Sequence, residues 1–343
     1  MIAIFVRLTG RVEVNAATLN AQGTAGNLIE LTKVRVVRFE DGAHRLIEVP
    51  AVSGNTVKHW HFVHFVDAYT MLGGKTLCEY CRRGIGFRSP DKNKESEEDF
   101  VKGCAGEDVH GFLQPDRQVR RESLFKSSFM LPIEDVETGF DTVTHNRIVV
   151  NEQGKIEEKG MMIFKRQYSS SIYGFLMSLD LGYVGKLLYS KEHRKIIDDD
   201  DEILKRGKAA LIAVLLLLSG DIGASRARAL PAWRVKELLV AWSYKPIPQL
   251  MHGYYSDYVV SSLGTLVTYS KLLNVEVNVL SYGVQVEPLE GEKTRNQTTK
   301  PNLKIETKNS WQDIIEELVK TFEESFNKQG SQAATQVKKD DGD

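Results

Sequence analysis

The cysteines fall inside one short stretch: Cys78 and Cys81 form a C-x-x-C, Cys104 follows, and His110 lies six residues beyond it. Two thiolates on a tight turn, joined by a more distant Cys and His, make a tetrahedral zinc set, and a segment without its own core gains stability from the ion. Buried thiols without a metal satisfy the same spacing. A disulfide between Cys78 and Cys81 is disfavoured in reducing surroundings, and no thioredoxin-like setting accompanies the pair. The sequence predicts one structural zinc on Cys78, Cys81, Cys104 and His110.

A second set of residues suits anion binding. Gly220 and Gly223 follow an apolar helix and lead to Arg226 and Arg228, with four basic residues and no acidic one between Ile222 and Lys236. Glycines let backbone N–H groups approach a ligand, so the turn suits a polyanion. No Gly-Lys-Ser/Thr follows, which removes the Walker reading. A helix C-cap glycine before a solvated basic turn is the plain alternative. Ser53-Gly54-Asn55 offers an N-cap, and Lys58 and His59 sit one turn on, where amide dipoles attract phosphate. Arg117, Arg120, Arg121 and Lys126 gather with Phe125 and Phe129, which reads as a basic hairpin with apolar tips or as a salt-bridged one. His59, His61 and His64 read as hydrogen-bonded histidines rather than ligands, since no carboxylate joins them. Arg83-Gly84-Ile85-Gly86-Phe87 imitates part of an RNA-recognition signature, but Ile85 and Arg88 break it. No serine triad, paired-carboxylate cleft or dinucleotide fingerprint is discernible.

These residues need elements to position them. The 343 residues suffice for a large core, and 45 basic against 46 acidic side chains mean that polyanion contacts must come from local patches. The longest apolar run, Ala209 to Leu218, falls short of the ~20 residues that span a bilayer, so a cytoplasmic protein is expected. Alternation predicts a strand from Met1 to Leu8 continuing through Val14, a loop from Asn15 to Asn27, and strands over 34–39 and 45–49 about an Asp41-Gly42 turn. A helix is predicted over Thr56–Leu72. Residues 75–160 lose periodicity and read as an insertion. Patterning returns over 161–179, with a helix over Lys205–Leu218, strands over 235–242 and 275–280, and a closing amphipathic helix over Trp311–Phe326. The tail, 327–343, is polar and predicted to be disordered.

The order of the motifs is specific where each alone is not. Gly26-Asn27 with Lys33 and Arg35, Val52-Ser53-Gly54 with His59, Gly111-Phe112 with Val119-Arg120-Arg121, and Leu218-Ser219-Gly220 with Arg226, Arg228 and Pro231 together resemble the DevR family. These are the repeated guide-RNA-binding backbone subunits of type I CRISPR Cascade complexes, and the chain looks closest to the archaeal type I-A branch. The resemblance covers about residues 1–326. It implies an α+β fold: a modified RNA-recognition-motif (ferredoxin-like) palm with a helical, zinc-type insertion and a β-hairpin thumb, the last two within 75–160. It implies a non-catalytic subunit that oligomerises along guide RNA (crRNA), holds the sugar-phosphate backbone without sequence preference, and presents the guide to target DNA. Lys33, Arg35, Asn55, Lys58, His59, Arg226 and Arg228 would bind phosphates in the palm, with Arg120, Arg121 and Lys126 on the thumb side. Implied partners are copies of itself in a filament, a 5′-end capping backbone subunit, large and small subunits, and a helicase-nuclease. No membrane is involved. The rival is a guide-directed, metal-dependent ribonuclease like type III backbone subunits, for which the 15–31 loop offers only Glu30. A zinc-dependent transcriptional regulator lacks a helix-turn-helix or a dimerising heptad.

Overall fold

Alternating apolar residues make β1 (Phe5–Ala17) the middle of a large sheet rather than its edge. Ile4, Val6, Leu8, Val12 and Val14 pack into one core while Phe5 enters a second on the opposite face. In the computed structural model, which describes residues 4–25, 27–86, 91–150, 152–224, 227, 229–286 and 302–340, no helix is long and apolar enough to cross a membrane.

After β1 come β2 (Ala21–Ala25), β3 (Leu28–Leu31) and the β4 (Lys33–Glu40)–β5 (Ala43–Pro50) ribbon, then α1 (Gly54–Met71). Short helices follow at α2 (Glu79–Arg82), α3 (Glu97–Gly103) and α4 (Ala105–His110). Small strands β6 (Phe112–Gln114), β7 (Val119–Arg121), β8 (Phe125–Ser127) and β9 (Leu131–Pro132) lead to the long pair β10 (Thr138–Val150) and β11 (Ile156–Asp180). The chain ends with α5 (Asp200–Leu218), β12 (Ala232–Ser243), α6 (Tyr258–Leu273), β13 (Val277–Tyr282), β14 (Leu303–Thr307) and α7 (Trp311–Asp340).

The main sheet runs β14-β13-β12-β1-β11-β3-β2, with β8, β9 and β10 also on β11. It is mixed: β1 is antiparallel to both β11 and β12, whereas β13–β14 and β11–β3 are parallel. Buried residues of α1, α5 and α7 share the core of Val6 and Leu8, and those of α6 share that of Phe5. The period of two in β1 and β12 thus sorts side chains between two helical layers.

Where the sequence predicts a loop from Asn15 to Asn27, β1 runs on to Ala17 and β2 pairs with β3. Small and polar residues conceal these strands, because pairing of β1 to β11 and of β2 to β3 supplies what propensity lacks. The segment read as an insertion feeds the main core with Cys81, Val101, Cys104 and Val109, all fully buried. Nor is Arg117–Pro132 a protruding hairpin: β8 and β9 are stitched to β11, and Phe125 is fully buried. The projecting pair is β10–β11, because β1 leaves β11 at Ser169 while β10 continues along it as far as Ile156. The last helix extends past Phe326, over part of the tail predicted to be disordered.

Candidate functional site

The N-terminus of α1 opens on a cleft of about 430 Å³ whose wall carries Asn55, Lys58, Lys126, Glu122 and Phe129. The Ser53 Oγ caps the helix by accepting the Thr56 N–H at 3.2 Å, and the first turn holds no acidic side chain. Gly54 is required by close approach: a Cβ there would lie 2.6 Å from the Ser127 carbonyl oxygen. Paired backbone bonds between Val52 and Met130, at 3.2 and 2.9 Å, fasten the helix start to the 127–130 segment. Lys126 reaches Asp180 at 3.5 Å and Glu122 at 3.3 Å, and Asp180 also holds buried Arg7 at 2.8 Å. Residues far apart in sequence, 53–58 and 126–129, thereby share one cleft, in which Lys58 and Lys126 stand with the Glu122 carboxylate.

His252 braces the far wall. Its Nδ1 accepts the Tyr254 N–H at 3.0 Å, which leaves the proton on Nε2 to be donated to the Phe129 carbonyl at 2.8 Å. Burial lowers its pKa and keeps the ring neutral. Sequence reasoning missed this residue because its partner lies more than a hundred positions away. It also missed Arg166, in a second cleft of about 420 Å³ shared with Tyr168, Phe140, Asp141 and Leu230. Among the described residues the buried Nε and Nη1 of Arg166 have no hydrogen-bond partner, a costly state for a cation's donors.

The other predicted anion-binding residues scatter. Lys33 and Arg35 are exposed on the β4–β5 ribbon, with Lys33 3.7 Å from Glu48. His59 is exposed, its ring edge-on to Trp60. Arg120 is exposed with its guanidinium 5.7 Å from the Tyr189 ring. Arg226 and Arg228 lie outside the described residues. Arg121 departs from the prediction: its side chain is buried and bound to Asp108 and Glu97, both at 2.6 Å, and to the carbonyls of Asp108, Tyr183 and Lys186. A guanidinium so engaged has nothing left to offer a phosphate. Asp108 also receives Arg206 at 2.9 Å and the Gly185 N–H at 3.0 Å, so Arg121 belongs to a buried charge network tying α4 to α5. Glu30 is exposed on β3.

Of the four predicted zinc ligands, three come together. The sulfurs of Cys78, Cys81 and Cys104 lie within 4.8 Å of one another and could hold a metal ion. The one-turn α2 supplies the first two, and Cys104 begins α4. Gly106 allows this packing, since a Cβ there would stand 2.9 Å from the Cys81 sulfur. Hydrogen bonds from the Cys104 and Cys81 thiols stabilise the Cys78 thiolate and lower its pKa, while Cys104 and Cys78 raise that of Cys81, and Cys78 together with burial raises that of Cys104. His110 is not in the group. Its Nε2 stands 2.8 Å from the Nδ1 of His61, whose Nε2 faces the Ala210 carbonyl at 3.0 Å. With His61 donating to that carbonyl, its Nδ1 must accept from His110. His64 likewise bonds the Asp221 carbonyl at 2.7 Å.

The class is therefore an α+β protein with a lysine-bearing cleft at a helix start and a separate thiol cluster. A family model described as "CRISPR-associated negative auto-regulator DevR/Csa2" matches residues 8–262. A Methanocaldococcus jannaschii protein, "CRISPR-associated protein Cas7/Cst2/DevR", is 41% identical over 303 residues, 82% of this chain and 94% of that one. A Thermoproteus tenax protein of the same description is 38% identical over 294 residues, covering 82% and 87%. A solved chain titled "CRISPR RNA-guided surveillance complex" is similar with a TM-score of 0.43 and 12% identity, over 92% of this chain and 99% of that one. The chain belongs to the DevR/Csa2 family of CRISPR-associated proteins. Its archaeal relatives fit the type I-A-like branch implied by the motif order.

Proposed function

We propose that this chain is a Cas7-type backbone subunit of a CRISPR Cascade complex. It polymerises along guide RNA, grips the sugar-phosphate backbone without reading sequence, and leaves the bases free to pair with target DNA. It performs no chemistry on either strand. Capping, large and small subunits and a helicase-nuclease complete the assembly. The observation that carries this reading is the convergence, in a chain of this family, of Asn55, Lys58 and Lys126 on one cleft at a capped helix N-terminus. Such a surface supplies amide dipoles and ammonium groups to phosphate and no base-edge code.

The motif order assigns further phosphate contacts to Lys33, Arg35, His59, Arg120, Arg226 and Arg228. Arg166, beside the exposed rings of Phe140 and Tyr168, adds a cation next to stacking surfaces at the root of the β10–β11 ribbon. That ribbon is the element that fits a thumb. Zinc is the ion that three clustered thiolates would favour, and it would fasten α2 to α4. The experiment is fluorescence anisotropy of labelled single-stranded RNAs with the full chain. Unrelated sequences of equal length should bind alike, whereas strong preference for one sequence, or no binding at low salt, overturns the reading.

A further inference from the structure

The thiol cluster supplies three donors where a structural zinc site has four. Thiolates ~2.3 Å from a tetrahedral ion stand ~3.8 Å apart, so sulfurs within 4.8 Å of one another close on an ion by small side-chain movements. The Cys78 N–H points to the Cys104 sulfur and the Cys81 N–H to the Cys78 sulfur, both at 3.4 Å. Outer-shell hydrogen bonds of this kind steady metal thiolates. The His110 Nε2 is engaged with His61, and the ring does not join the three sulfurs. Among the described residues no His, Asp or Glu joins the three sulfurs.

Cys78, the partly exposed member of the cluster, lines a pocket of about 400 Å³ with Glu79, Tyr80, Asp91, Lys94 and Gly103, while Cys81 and Cys104 are fully buried behind it. We propose that zinc here has an open fourth position, filled from this pocket by an exchangeable neutral donor: water at rest, and a nitrogen base of the imidazole class when one is supplied. The inference rests on the zinc reading above and goes beyond it. Three thiolates and Zn²⁺ carry one net negative charge, formed as the thiols release their protons to solvent. In the pocket wall the Lys94 ammonium is held by Glu107 at 3.3 Å and the Glu79 carboxylate by Arg83 at 2.6 Å, so neither offsets that charge. The site's own negative charge, with Asp91 on the same wall, then opposes an anionic fourth ligand and selects a neutral one. A site closed by His110 could only hold the fold, whereas this one can take up and release a ligand.

The test is the full chain with cobalt(II) in place of zinc, titrated with imidazole and separately with azide, alongside His110→Gln. One cobalt per chain should give tetrahedral visible bands with sulfur-to-metal absorption. Imidazole should shift those bands saturably, azide at equal concentration should not, and His110→Gln should keep both spectrum and stoichiometry. A parent spectrum indifferent to imidazole means a closed site, which overturns the open position and leaves the metal in place. Loss of tetrahedral bands in a His110→Gln protein with parental circular dichroism makes His110 the fourth ligand. An equal response to azide removes the charge selection. Absence of bound cobalt and zinc overturns both readings together. Should His110→Gln fail to fold, the imidazole titration of the parent decides alone.

Discussion

Lys58 and Lys126 are where the account is most exposed, because they reach one cleft from opposite sides of α1 and β8. Charge-assisted contacts contribute ~1.5–3 kcal/mol each, so Lys58→Ala with Lys126→Ala should weaken single-stranded RNA binding by more than about tenfold. Two lost phosphate contacts should also flatten the slope of log K against log salt by about 1.4. An unchanged slope with reduced affinity would place these residues off the RNA path. His252 makes a different prediction. Its pKa is depressed below 6.5 in the folded chain, so the unfolded chain takes up the proton first as pH falls. Stability is then full above about 6.5 and is lost as pH drops toward the folded-state value. Urea unfolding between pH 7 and pH 5 should show that loss, and His252→Gln should lose less over the same interval. At this scale the sequence showed residue types but not which were already engaged. Lys126 and Arg121 read alike, yet one lines a cleft and the other is sealed against Asp108, since burial depends on partners distant in sequence.

Among elements, the contact between the start of α1 and the 127–130 segment shapes the cleft. Gly54→Ala would place a methyl group 2.6 Å from the Ser127 oxygen and 3.2 Å from that of Ser128, forcing helix and segment apart. Overpacking of this kind costs ~1–3 kcal/mol. Thermal unfolding should show a modest loss, with RNA affinity reduced at temperatures where the variant is fully folded. Parental affinity in a folded Gly54→Ala chain would separate the cleft from RNA binding. The helices α1 and α5 were legible because Ser53 caps one and a long apolar run marks the other. The strands at Ala21–Ala25 and Phe125–Ser127 were not, because β3 and β11 recruit them without an alternating pattern of their own. The gathering of three thiols was legible from spacing. The assignment of His110 failed because spacing cannot reveal that the ring is turned to His61.

For the whole molecule, near-balanced charge excludes wrapping RNA by bulk attraction, so the proposed function requires affinity that comes from a repeated local track and grows as copies are added. Family membership and motif order were legible because the motifs spread along the chain in one sequence of positions. The projecting β10–β11 ribbon was not, since the length of a hairpin beyond its sheet depends on where neighbouring strands stop. The most direct test of the central claim is the mass of the complexes that the purified chain forms on single-stranded RNAs of increasing length, by native mass spectrometry at low salt. The account predicts that the number of chains per RNA rises in regular steps with length, independent of sequence, and collapses as salt is raised. One chain per RNA at every length would contradict it.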